Sequence, residues 1–131
     1  MRALWQSREQ ADSAADKLRK FAQPQRLMIL SLLREGEKSV TEIDVATRIG
    51  QPALSQQLAE LRKAELVTTR RQAKQIYYSL AHESVALCVR SIEAVFNAGD
   101  PKQVLLDMAR PDLRLESEGV VRGAANFARL R

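Results

Sequence analysis

The sequence predicts a mainly α-helical domain with a small β-hairpin: a winged helix-turn-helix with helical dimerisation elements at both ends of its core. Three observations predict it. Apolar residues recur at helical spacing through four successive segments between residues 7 and 64. The third and fourth segments are short and joined by a tight turn containing Gly50, the pattern of a helix-turn-helix. Two short runs of strand character follow at once, too close together for a crossover connection.

The first helix is expected over residues 7–22, with Ser7 near its cap and Ala11, Ala14, Ala15, Leu18, Phe21 and Ala22 on one stripe. Pro24 suits the first position of a second helix, because its missing N–H has no partner there anyway. That helix runs to Arg34 and stops at Gly36; Leu27, Ile29, Leu30, Leu32 and Leu33 make it apolar on most sides. Ser39 and Glu42 form a capping box for a third helix with Val40, Ile43, Ala46 and Ile49 inward, ended by Gly50. The fourth helix spans about Pro52 to Ala64, with Leu54, Leu58 and Leu61 on one stripe. Leu66 to Arg71 and Gln75 to Leu80 read as strands, the second alternating Ile76, Tyr78 and Leu80 against Gln75, Tyr77 and Ser79. The connection Arg71-Gln72-Ala73-Lys74 lacks the Asn-Gly or Asp-Gly that usually closes a hairpin. A last core helix runs from Glu83 to Phe96, with Val85, Val89, Ile92 and Phe96 on one face and Cys88 and Val95 beside it.

These elements fill a domain over residues 7–97. An extension over 98–131 holds one short helix opened by Asp100-Pro101, with Val104, Leu105 and Met108, and stopped by Pro111. Beyond it the sequence is only weakly amphipathic and leaves open a last docked helix or no fixed structure.

Composition narrows the function. A chain of 131 residues can bury a sizeable core without staples. Aromatic residues are only 5%, too few for a stacking platform on single-stranded nucleic acid. One cysteine, Cys88, and one histidine, His82, exclude an intrachain disulfide and a multi-cysteine metal site. No apolar run approaches the roughly 20 residues of a membrane span, and the polar start is unlike a signal peptide, so a cytoplasmic protein is expected.

Charge is unevenly placed. From Arg62 to Gln75, Arg62, Lys63, Arg70, Arg71 and Lys74 stand against Glu65, a local balance of +4. From Glu35 to Arg48 the balance is −2. Concentrated positive charge is the footprint of a nucleic-acid partner. The fourth helix has a further peculiarity. Opposite its leucines it carries Gln51, Ala53, Ser55 and Gln56, short uncharged groups where a merely solvated helix would carry charges. A helix fits the major groove, where an amide can pair with adenine N6 and N7 and a methyl can pack on thymine. Gln57 at the edge of this face and Arg62 beyond it are candidate backbone contacts. Arg70, Arg71, Lys74 and Gln75 would bring the wing to phosphates or the adjacent minor groove.

The string "RLMILSLLREGEKSVTEIDVATRIGQPALSQQLAELRKAELVTTRRQAKQIYYSL" resembles the ArsR/SmtB family of bacterial winged-helix repressors. Within it, "IGQPALSQQLAELR" and "TRRQAKQIYYSL" resemble the branch around the biofilm growth-associated and nodulation repressors. The resemblance covers about residues 15–97. It implies a homodimeric, nucleoid-associated repressor of a pseudo-palindromic double-stranded operator, with the first and last core helices forming the dimer interface. The apolar excess on those helices agrees: Leu18, Phe21, Val85, Val89, Ile92 and Phe96, with Cys88 beside them, exceed what one small winged helix can bury.

Departures from the family are equally informative. Arsenic sensors carry cysteines in the third helix, where the matching positions are Thr41 and Ile43. Zinc sensors use His and carboxylate pairs on the last core helix, which a lone His82 does not supply. Redox-responsive members pair cysteines at positions that correspond to Ser31 and Asn97. No metal ligand set, cofactor or inducer is therefore expected, and no constellation suggests catalysis. Two other readings stay open: a winged-helix module for protein association with incidental DNA affinity, and a thiol-responsive repressor acting through Cys88.

Overall fold

The computed structural model describes residues 2–97 together with Lys102, Gln103, Leu106 and Ala109. Lys102, Gln103 and Leu106 are helical, within the short helix expected around 101–108; the rest of that segment and the tail to 131 lie outside the described residues. A single 3-10 turn, Leu4–Gln6, precedes α1 (Arg8–Phe21) and α2 (Pro24–Leu33). Then come β1 (Lys38–Ser39), α3 (Val40–Thr47), α4 (Ala53–Lys63), β2 (Val67–Gln72), β3 (Gln75–Leu80) and α5 (Glu83–Asn97).

Local chemistry sets these boundaries. Ser7 Oγ accepts the Gln10 amide at 3.1 Å and starts α1. Gln23 caps α2, its Oε1 accepting the Arg26 amide at 2.9 Å, with Pro24 at the first helical position as expected. The capping box forms as read: Ser39 Oγ accepts the Glu42 amide at 3.1 Å and Glu42 Oε1 accepts the Ser39 amide at 2.8 Å.

Two expectations are corrected. The third helix ends at Thr47 rather than at Gly50, because Arg48 takes the left-handed conformation (φ 56°) and breaks the spiral. Gly50 (φ 81°) sits inside the turn, and Asp44 Oδ1 accepts its amide at 3.0 Å, tying the turn back to α3. The hairpin is also joined by a third strand, giving an antiparallel sheet in the order β1-β3-β2. Lys38 pairs with Tyr78 and Ser39 with Tyr77. A strand of two residues has no alternation to betray it.

The hairpin itself closes on Ala73 and Lys74, since Gln72 pairs with Gln75. Ala73 adopts φ 57° there, a conformation that usually falls to Gly or Asn. At the end of α4 a similar economy operates without glycine. Glu65 (φ 62°) lets its own amide reach the Arg62 carbonyl and the Leu66 amide reach that of Leu61, both at 3.0 Å. This is a Schellman closure, and it turns the chain directly into β2.

α2 is the central pillar. Ile29, Leu30 and Leu33 are buried against Ile43 of α3, Leu54, Leu58 and Leu61 of α4, and Val85 and Val89 of α5. Phe21, Leu66, Val67 and Tyr78 complete the cluster. The result is that α4 packs into the core through its leucine stripe, leaving the opposite face outward. β2 and β3 are buried only at their base: every residue from Arg70 to Ile76 is exposed, so the wing projects from the core. Among the described residues no helix is long and apolar enough to cross a membrane.

α1 contributes only Phe21 to the core, and Ala11, Ala14 and Ala15 remain half-buried. Leu18 is exposed, as are Trp5 at 86%, Val95 and, at 81%, Phe96. Of the apolar residues expected at a dimer interface, Phe21, Val85 and Val89 are already buried within the protomer, Cys88 and Ile92 are half-buried, and Leu18 and Phe96 stand free.

Candidate nucleic-acid interface

α4 presents Gln51, Ser55 and Gln56 exposed at its N-terminal end and along its outward face, with Ala53 half-buried among them. Pro52 stands at the cap position and has no side chain to accept the free amides of the first turn. Gln51 does that work from one residue earlier. Its Oε1 accepts the Ser55 amide at 3.1 Å and the Ser55 hydroxyl at 2.7 Å. Two of the residues read as base contacts are thereby bonded to each other.

Gln57 is half-buried, and its Oε1 accepts from Arg26 Nε at 2.8 Å. This contact spans α2 and α4 and fixes the orientation of the helix edge. Arg26, which sequence patterning does not single out, is thus part of the site's support. Arg62 lies in the last turn with Lys63, about 10 Å along the helix from Ser55. It lines a shallow cleft with Glu65, Thr68, Thr69 and His82, well away from the reading end.

In the wing the basic residues divide. Arg71 and Lys74 are exposed, and Gln75 stands beside them at the tip. Arg70 is engaged inside the protein. Its Nε and Nη2 donate to the two oxygens of Glu37, each at 2.7 Å, and its Nη1 donates to Gln72 Oε1. Its guanidinium also lies 4.7 Å over the ring of Tyr77, its cross-strand partner. The Arg70 hydrogen bonds hold the Glu37 carboxyl below the usual glutamate range, with a smaller contribution from Ser79. Sequence spacing gives no hint of this pair, since Glu37 and Arg70 are 33 residues apart.

Ser31, Thr41, Ile43 and Asn97, the positions matched to sensor cysteines by the family resemblance, have other surroundings. Ser31 Oγ donates to Glu93 Oε2, and Arg34 Nη1 donates to Glu93 Oε1 at 2.5 Å, so a polar bridge ties α2 to α5. Ile43 is fully buried, and Thr41 and Asn97 are exposed. Cys88 is half-buried on α5, and burial pushes its thiol pKa up. Among the described residues no three His, Cys, Asp or Glu side chains gather closely enough to hold a metal ion.

A helix-turn-helix with a projecting hairpin and a free polar helix face is the build of a DNA-reading module. Comparison with known proteins agrees. Residues 23–69 match the model of the family described as "Bacterial regulatory protein, arsR family". The biofilm growth-associated repressor of Agrobacterium fabrum is 44% identical over 90 residues, which is 69% of this chain and 77% of that protein. The crystal structure of the transcriptional repressor BigR from Xylella fastidiosa superposes with a TM-score of 0.68 at 39% identity, covering 74% of this chain and 99% of that one. A possible ArsR-family regulator of Mycobacterium bovis, solved by NMR as a homodimeric winged helix-turn-helix DNA-binding domain, gives a TM-score of 0.60 at 32% identity, covering 70% of this chain and 84% of that one. The chain belongs to the arsR family of bacterial regulatory proteins, with the winged helix-turn-helix fold.

Proposed function

We propose that the protein is a homodimeric transcriptional repressor that binds a pseudo-palindromic double-stranded operator in the cytoplasm. The observation that carries this reading is the exposed, uncharged face of Gln51, Ser55 and Gln56 on a helix whose opposite leucines are locked in the core. Such a face offers hydrogen bonds without the desolvation cost of a charge, which is what base edges in a major groove reward. Arg71, Lys74 and Gln75 lie on the wing's exposed tip, where they reach phosphates or the neighbouring minor groove. Phosphate contacts supply affinity and register; α4 supplies sequence.

Dimerisation is supported by the exposed Trp5, Leu18, Val95 and Phe96, a set of large apolar side chains beyond the protomer's own core. A two-fold pair of recognition helices about one DNA turn apart, roughly 34 Å, matches a pseudo-palindrome. The relatives named as repressors and the homodimeric M. bovis domain point the same way. The test is sedimentation of the full chain with and without duplexes enriched from a randomised double-stranded library. Two chains per duplex and one enriched inverted repeat are expected. A monomer at micromolar concentration, or no enrichment, contradicts the reading.

A further inference from the structure

We propose that the Gln51–Ser55 pair fixes in advance which hydrogen-bonding function each residue offers to DNA, so that Ser55 selects adenine or cytosine. The inference rests on α4 being the base-reading element and goes on to specify what it reads.

The Ser55 backbone amide can only donate, so the Gln51 atom facing it at 3.1 Å is the carbonyl oxygen. The Ser55 hydroxyl then has that same oxygen at 2.7 Å as its acceptor. A hydroxyl carries one proton. With that proton given to Gln51, Ser55 Oγ turns only lone pairs toward the solvent. Gln51 Oε1 has both of its lone pairs occupied, so its outward function is the NH2 alone. The same logic applies to Gln57, because Arg26 Nε is also a pure donor and claims Gln57 Oε1. Gln56 is exposed and keeps both halves of its amide.

The face therefore has a fixed polarity: an acceptor at Ser55, donors at Gln51, and a bifunctional amide at Gln56. In the major groove only adenine N6 and cytosine N4 donate, while guanine N7 and O6, thymine O4 and adenine N7 accept. An acceptor-only Ser55 thus pairs with adenine or cytosine and meets guanine or thymine lone pair to lone pair. Gln51 pairs with the opposite set of edges or with a phosphate oxygen. Gln56 alone retains the donor and acceptor needed for the bidentate adenine contact. A free serine hydroxyl would rotate to suit any base, so Gln51 acts on specificity as a positioning residue through Ser55.

The experiment is selection of bound duplexes from a randomised double-stranded DNA library by the full chain and three variants, each first checked for native circular dichroism. Ser55→Ala locates the position by flattening one column of the enriched motif. In the wild type that column should favour adenine or cytosine over guanine or thymine by about tenfold. Gln51→Ala releases the hydroxyl, and the same column should then accept all four bases. Gln51→Glu keeps an oxygen acceptor for Ser55 while removing the NH2, so the column should keep its adenine or cytosine preference although overall affinity falls. A wild-type preference for guanine or thymine there, an unchanged preference in Gln51→Ala, or no column that responds to Ser55→Ala each overturns the inference while leaving sequence-specific binding intact. Failure of the wild type to enrich any motif instead overturns the DNA-reading assignment, and this inference with it.

Discussion

Arg70 clasps Glu37 with two parallel hydrogen bonds of 2.7 Å, and this pair joins the base of the wing to the loop that precedes β1. Planar bidentate pairing of this kind combines charge with geometry. It also divides the wing's two adjacent arginines. Arg70 shares its face of the sheet with Tyr77, while Arg71 pairs with Ile76 and points to the other side. Arg70 is engaged within the protein, and Arg71 is exposed.

The first prediction follows from that division. Arg71→Gln should weaken binding to all duplexes alike and reduce the slope of log affinity against log salt by about 1. Arg70→Gln should leave that slope unchanged and lower the melting temperature. Glu37→Gln should release Arg70 and steepen the slope by about 1. Salt titrations of fluorescence anisotropy on one unrelated duplex check all three. Equal slopes for the Arg70 and Arg71 variants would refute the division.

The same pair has a pH signature. Arg70 holds the Glu37 carboxyl below its ordinary range, so the folded state binds this proton less readily than the unfolded chain. The pair's contribution is then fully present above the unfolded glutamate pKa of about 4.3 and is lost as pH falls through the lower folded value. Thermal unfolding of wild type and Glu37→Gln should show a constant gap from neutral pH down to about pH 5, closing in stronger acid. A gap that stays open there, or one that opens only on acidification, contradicts the assignment.

Dimerisation should depend on residues that the protomer leaves uncovered. Phe96→Asp and Leu18→Asp should shift the chain to monomer with its helical content retained, because both side chains are exposed within the protomer. Val89→Asp should instead unfold it, since Val89 is only 1% exposed in the core. Sedimentation velocity alongside circular dichroism separates the two outcomes. A dimer that survives both exposed-site changes places the interface elsewhere.

Burial raises the Cys88 thiol pKa, so less thiolate is present at neutral pH than for a free cysteine. Modification by a disulfide reagent at pH 7 should therefore run slower than for a free thiol. Operator affinity should be indifferent to zinc, arsenite, persulfide and peroxide in wild type and in Cys88→Ser. A tenfold loss in wild type that Cys88→Ser abolishes would make Cys88 the sensor.

Much of the fold was legible because its signals are local. Ser39 and Glu42 lie three residues apart, and the alternation around Tyr78 marks β3 to the residue. The leucine stripe of α4 likewise names the buried face in advance. What escaped was either too short or too distant. β1 has two residues, and its pairing with β3 is nonlocal. The end of α3 escaped because Arg48, a residue with no turn signature, adopts the left-handed conformation two residues before Gly50, the expected stop. At the site, residue type pointed to Gln51, Ser55 and Gln56 but said nothing of their mutual bonds. Gln57 and Arg70 were grouped with free contacts because Arg26 and Glu37 are remote in sequence.

The central claim is that α4 reads base edges while the wing supplies sequence-independent attraction. It is tested most directly by measuring Gln56→Ala against wild type on the enriched inverted repeat and on a shuffled duplex at the same salt. Loss of about 1–3 kcal/mol on the repeat, with the shuffled duplex nearly unaffected, is the predicted result. Equal losses on both duplexes, or none on either, would contradict it.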